Sequence, residues 1–458
     1  MGTETHYRRS QVDYSQSGCD STHIGMTEVE TGAGTRNGLP EYSVTLTQTR
    51  IPLGCGRRLF PMRRIVPRIM VALFVALGIL FGSTFIKIYP KDFFWIERAN
   101  AKMPVWVRGN ISSSIFLIYI HGGPGGSGIA QSLFEVSPGD GNFNQASSLH
   151  ALESDYAVVY WDQRNAGMSQ GTADPNDSRI EDFGEDLALV VRTLRARYPV
   201  RHLFLLGASW GHSVALSYMT LIDGWKDNQS KINGYIIYQG NNEADAPFQA
   251  SKPKIVEVAL KHISEGRDVA YWQSALEFYR QKSRLTDPAE FLAHDEYATR
   301  AMGVSYPLPA RAWAAFKASI FTPLNGWKFY LNNRSLRRAD RFWSWVTTDR
   351  TLSTTLARVT IPVMLIYCQR DLLAPPEVGR TIYGKIQTPA SQKTMMTLPY
   401  SRHGAEGPDV AVMQAGIRRF IARTIAEESD SPSQLHSSRV VDNSETTLQV
   451  TNGAVTSR

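Results

Sequence analysis

Residues Leu205–Leu216 read LLGASWGHSVAL. An apolar run ends at a glycine, Ser209 stands between Gly207 and Gly211, and an apolar helical pattern follows at once. This is G-x-S-x-G in the context a nucleophile elbow requires, after a strand and at the opening of a helix. The glycines permit a strained turn and close backbone approach. The helix N-terminus adds a favourable field for a developing anion. The five-residue pattern alone is weak, and a glycine-rich turn without chemistry is the alternative. The rest of the chain decides between them.

Outward from the elbow, short apolar runs alternate with helical patterns. SSSIFLIYIHGG (112–123), DYAVVYWDQ (155–163), RHLFLLGAS (201–209), NGYIIYQG (233–240), IPVMLIYCQRD (361–371) and KTMMTLPY (393–400) read as buried strands. Ile180, Phe183, Leu187, Val190, Val191 and Leu194 recur at helical spacing, as do Val410, Met413, Ile417, Phe420, Ile421 and Ile425. Such alternation predicts an α/β fold with a mostly parallel central sheet and helices on both faces. Residues 242–349 break the pattern. They hold no strong buried strand and are rich in aromatics, among them Trp272, Trp313, Trp327, Trp343 and Trp345. They are expected to form a helical cap. The core is then split into 92–241 and 350–427, followed by a polar, unstructured tail over 428–458. Ligands of such sheets bind beyond the carboxyl ends of the strands.

The bulk numbers fit this picture. The chain has 458 residues, 43% apolar and 20% charged, enough to bury a large core. Its net charge of +7 contains no dense Lys/Arg block, so no nucleic-acid partner is expected. Of three cysteines only Cys368 falls in the folded part, which excludes a disulfide framework there.

Part of the positive charge sits ahead of an uncharged apolar run. Ile69–Ile86 reads IMVALFVALGILFGSTFI, preceded by Arg57, Arg58, Arg63, Arg64 and Arg68. Eighteen such residues nearly cross a hydrocarbon core of about 30 Å, and the basic flank favours a cytoplasmic N-terminus. Residues 65–88 are expected to be a single-pass signal anchor, with the catalytic domain external, periplasmic or lumenal. A start at Met62 would instead resemble a cleaved signal peptide and a secreted protein, although GSTFIKIYP offers a poor cleavage site. Residues 1–64 are polar and are expected to be disordered. N-x-S triplets occur at Asn110, Asn176, Asn228 and Asn333.

A nucleophilic serine needs a base, and the base an orienting carboxylate. In this architecture the chain order is Ser, then Asp/Glu, then His. Asp371 directly follows the strand VMLIYC, and His403 lies in SRHGAEGP between the next strand and the last helix. A capping aspartate and a solvated loop histidine are their bland alternatives. His212 and His262 stand in the wrong order or place. His121-Gly122-Gly123-Pro124-Gly125 ends the strand IFLIYI. Such a loop can present a backbone N–H, at Gly123, to an oxyanion, with Trp210 N–H as the second donor.

HGGPGG, WDQRNAGMS, GASWGHSVAL, the late aspartate and SRHGAEGP together resemble the prolyl aminopeptidase (proline iminopeptidase) family of α/β-hydrolases. The resemblance runs in order over roughly Phe94–Glu427. It implies the α/β-hydrolase fold, Ser209 as nucleophile, Asp371 as orienter, His403 as base, a helical cap, and a structural role for Asp162-Gln163-Arg164. It implies no cofactor and no metal. Asn165 and Ala166 stand where the family has a glycine and usually a cysteine, and Ala208 replaces a glycine. Family aminopeptidases hold the substrate's amine with carboxylates from the cap side, for which Glu243 and Asp245 are the candidates. The expected activity is removal of N-terminal residues, proline included, from small peptides. An esterase, lipase or amidase on the same scaffold is the alternative. A catalytically dead adhesion protein would need a broken triad or oxyanion loop, and both read as intact.

Overall fold

The computed structural model describes residues 90–133, 147–304, 326–348 and 351–429, together with 449–451 and 454–456. The expected anchor at 65–88, the segment 1–64 and Trp313 lie outside these. Among the described residues, no helix is long and apolar enough to cross a membrane.

The core is one twisted sheet. Strands β3 (Ile115–Ile120), β4 (Ala157–Trp161), β6 (His202–Ala208), β7 (Gly234–Tyr238), β8 (Val363–Cys368) and β9 (Lys393–Leu398) run parallel, in the order β4-β3-β6-β7-β8-β9. These are the six runs read from the sequence. For the five strands inside the sheet, apolar continuity reflects burial on both faces, while the edge strand β9 is half-buried. On one face Ile118, Leu205, Ile237 and Leu365 pack under helices α2 (Ile180–Arg197) and α3 (Trp210–Thr220). On the other, Tyr119, Phe204, Ile236 and Met364 meet Met413, Ile417 and Phe420 of the last helix (Pro408–Ser429).

Five strands among the described residues escaped the sequence reading. β1 (Phe93–Arg98) and β2 (Ala101–Gly109) form an antiparallel hairpin beside β4. Its tight turn uses Ala99 and Asn100 at φ +45° and +62°, the geometry of a primed two-residue turn. Lys102, Pro104 and Arg108 interrupt the continuous apolar run that marks the other strands, leaving only an alternating pattern of Ala101, Met103, Val105 and Val107. A two-residue strand, β5 (Gln170–Gly171), also pairs with β2. Within the polar tail the backbone forms β10 (Gln449–Thr451) and β11 (Ala454–Thr456), the latter pairing with β1.

Between β7 and β8 the described chain is helical: α5 (Asp245–Ser264), α6 (Val269–Gln281), α7 (Pro288–Ala301), α8 (Gly326–Arg337) and α9 (Asp340–Thr348). α9 turns Phe342, Trp343 and Trp345 inward. Phe342 and Trp345 lie 6.2 and 5.9 Å, ring to ring, from Trp210 of the elbow. Phe183 of α2 closes this aromatic cluster, 5.6 Å from Trp210. The cap thus rests directly on the elbow.

Candidate active site

β6 ends at Ala208 and α3 begins at Trp210. Ser209 alone makes the turn, at φ +50° and ψ −119°. A non-glycine residue there stores backbone strain, and the surroundings explain how it persists. Its N–H donates to the Tyr238 carbonyl at 2.9 Å. A Cβ on Gly211 would overlap the Ile120 carbonyl, and one on Gly207 would stand 2.8 Å from the Gly211 carbonyl oxygen. Both glycines are demanded by close packing. Ala208 has its side chain in the core, so the family's glycine is not needed at that position.

Asp371 follows the end of β8 and is fully buried. Its Oδ1 accepts the N–H groups of Leu373 (2.8 Å) and Ala374 (3.0 Å). Its Oδ2 accepts Gln239 Nε2 at 3.0 Å and pairs with His403 Nδ1 at 2.8 Å. His403 arrives on the loop after β9 and is itself buried. Its Nδ1 is thereby committed to Asp371, which orients the ring. Burial opposes the imidazolium, but the charge and hydrogen bond of Asp371, and the charge of Asp295, outweigh it and raise the His403 pKa. The sequence-predicted aspartate and histidine are therefore in contact, and Ser209 sits at the end of β6, one strand removed from β8, bonded to Tyr238 of the intervening β7.

The HGGPG loop follows β3. His121 is fully buried, and its Nε2 accepts the Gln163 N–H at 3.1 Å, so Nδ1 donates to the Gly122 carbonyl at 2.8 Å. Burial pushes its pKa down to about 4, keeping it neutral as a brace. Gly123 has φ +134°, and a Cβ there would press on the amide nitrogens of Gly125 and Gly126. The peptide bond from Gly123 to Pro124 is cis. Trp210 occupies the first position of α3, where a backbone N–H lacks an acceptor within the helix.

The D-Q-R segment ties these parts together. Gln163 Nε2 donates to the His121 carbonyl at 2.9 Å, and its Oε1 accepts Trp210 Nε1 at 3.0 Å. One side chain bridges the glycine-rich loop to the elbow. Asp162 accepts Ser127 Oγ and the N–H groups of Ile129 and Met168, and burial raises its pKa to about 6. Arg164 forms a two-pronged ion pair with buried Asp186 at 2.6 and 2.7 Å. Asn165 adopts φ +55°, a left-handed conformation asparagine tolerates better than most residues, so it serves where the family has glycine.

The remaining histidines lie elsewhere. His212 is buried against Tyr235, 2.5 Å from its hydroxyl, and burial lowers its pKa to about 3. His262 packs on Trp272 within the cap. Glu243 accepts Ser353 Oγ at 3.0 Å, and Asp245 is the first residue of α5. The acid that acts on His403 from the cap is another one, Asp295 of α7. Desolvation raises its pKa, against the opposing charges of His403 and Arg337. Yet the side chain is exposed. No motif marks Asp295. It is one acid among several on α7, and only packing singles it out. Among the described residues no group of three His, Cys, Asp or Glu side chains could hold a metal.

A sequence profile described as alpha/beta hydrolase fold matches residues 116–403. A probable aminopeptidase, YbaC, of Bacillus subtilis is 22% identical over 300 residues, covering 64% of this chain and 85% of the relative. Solved structures of similar fold include a proline iminopeptidase of Mycobacterium smegmatis, at 16% identity and TM-score 0.43, over 73% of this chain and 99% of that one. Another is the esterase RhEst1 of Rhodococcus sp., at 15% identity and TM-score 0.44, over 72% and 98%.

Proposed function

The chain belongs to the α/β-hydrolase fold family, and from that premise we propose that it is a serine aminopeptidase releasing N-terminal residues, proline among them, from small peptides. The observation that carries the reading is the 2.8 Å contact between His403 Nδ1 and Asp371, in a sheet whose strand β6 ends in the strained Ser209 elbow. His403 Nε2 takes the Ser209 proton as Oγ attacks the scissile carbonyl. The N–H groups of Gly123 and Trp210 receive the oxyanion. His403 then protonates the leaving amine, and water, activated by the same imidazole, releases the acyl group. Asp371 holds the ring in its working tautomer.

Asp295 favours a peptidase over an esterase. An exposed cap carboxylate whose charge reaches the base suits a substrate ammonium. We assign the ammonium to Asp295 ahead of Glu243 and Asp245. The esterase alternative draws on the aromatic cluster of Trp210, Phe342 and Trp345, which would suit apolar acyl groups. The variant Asp295→Asn separates them. On proline and alanine arylamides KM should rise roughly tenfold, as for a lost charged contact, while short nitrophenyl esters, which lack the amine, keep their KM. Equal changes on both substrates would remove the ammonium role and favour the esterase.

The same proposal places the domain outside a membrane, anchored through 65–88. Its support is the uncharged run Ile69–Ile86 behind five arginines. The full chain should stay in the membrane pellet on alkaline carbonate extraction, and release into the supernatant would remove the anchor.

A further inference from the structure

Gln239 follows the last residue of β7 and is fully buried. Its backbone sits at φ +53°, a conformation costly for a glutamine and persistent only where the surroundings enforce it. The backbone N–H donates to the Ile366 carbonyl of β8 at 2.8 Å. The side-chain Nε2 has two protons, and each has an acceptor. One is Asp371 Oδ2 at 3.0 Å, the other the Arg402 carbonyl at 2.6 Å. A single carboxamide thus grips the orienting carboxylate and the backbone immediately before His403. The outer side of that loop is fixed as well. Arg402 Nη2 pairs with Glu406 at 2.8 Å, and Nη1 donates to the carbonyls of Met302 and Gly303 at 3.1 and 3.3 Å.

Resting on the serine-hydrolase reading above, we infer that Gln239 is a positioning residue that sets the Asp371–His403 geometry by holding both loops with one amide. A neutral donor suits the task. A lysine or arginine there would hold Asp371 equally well, but its charge would cancel the field that keeps His403 basic. The neighbouring residue Tyr238 accepts the Ser209 N–H through its carbonyl, so consecutive residues at the end of β7 serve the nucleophile and the pair behind the base.

Among the described residues, these charged and titratable groups act on the pair. His403 is faced by Asp371 from the end of β8 and by Asp295 from α7. Asp371 is faced by His403 and lies near Tyr367 and Cys368 of β8. Loss of the amide leaves the Asp371 charge less compensated, which strengthens its pull on the imidazolium. The test is the pH profile of kcat/KM for the intact protein and Gln239→Leu, with Ser209→Ala beside them. The leucine variant should lose roughly tenfold or more in kcat at neutral pH, keep its KM, and show its acidic limb at higher pH. A folded leucine variant with unchanged kcat and limb overturns the inference. If that variant does not fold, Gln239→Glu answers instead. Its carboxyl can donate only when protonated, so the optimum should narrow and move to lower pH, and an unshifted profile overturns the inference. Activity surviving in Ser209→Ala sinks the serine reading itself, separately from either Gln239 result.

Discussion

At His403, burial lowers the pKa while Asp371 and Asp295 raise it above the ordinary 6.5, and the charges win. A general base works only when neutral. Activity should therefore fall as pH drops through a value above 6.5. Asp295→Asn removes one of the two raising charges, so its acidic limb should move to lower pH. A limb that stays in place would mean Asp295 does not act on the base. This readout is independent of substrate amine binding and can be taken on an ester. The sequence disclosed some of these residues and hid others for a physical reason. Ser209, Asp371 and His403 each occupy a strand end or the loop after one, and strand ends are marked by apolar runs and glycines. Gln163 and Asn165 belong to a motif. Asp295 and Gln239 have no such marking. One is chosen by the packing of α7 over the histidine loop, the other by tertiary hydrogen bonds that no spacing encodes.

Among the elements, α9 shows what holds the cap in place. Phe342 is fully buried, with ring centroids 5.0 Å from Trp345, 5.7 Å from Trp343 and about equally far, 6.2 Å, from Trp210 and Phe183. Trp345 Nε1 donates to the Ser178 carbonyl at 2.9 Å, so its polar edge is satisfied while its face packs. Phe342→Ala should cost about 3–5 kcal/mol in urea unfolding. A loss below about 1 kcal/mol would mean that the cluster does not seat the cap. Five of the six parallel strands were legible because burial makes each a nearly unbroken apolar run, while the half-buried edge strand β9 kept only Met395, Met396 and Leu398 as its signal. β1 and β2 were not, since an antiparallel hairpin at the side of the sheet mixes Lys102, Pro104 and Arg108 into its apolar residues. The aromatic content of 242–349 gave the helical cap, while the choice of α9 as its footing on the elbow needed tertiary contacts.

Across the whole molecule, the proposed site draws one contribution from each of five adjacent strand ends. β3 delivers the glycine-rich loop, β6 the elbow, β7 Gln239, β8 Asp371, and the loop after β9 His403. Gln163, after β4, locks the first two together. Parallel strands point their carboxyl ends the same way, which brings these loops to one edge of the sheet. The central claim is that Ser209 attacks amide bonds beside a free amine. The most direct test is turnover by the domain from about Lys91 onward, with proline, alanine and leucine arylamides beside short nitrophenyl esters, in the presence and absence of Ser209→Ala. The account predicts arylamide cleavage that is lost by at least about 10³-fold in the alanine variant. Ester cleavage without arylamide cleavage would contradict the peptidase assignment, and equal turnover by the alanine variant would contradict Ser209 as nucleophile.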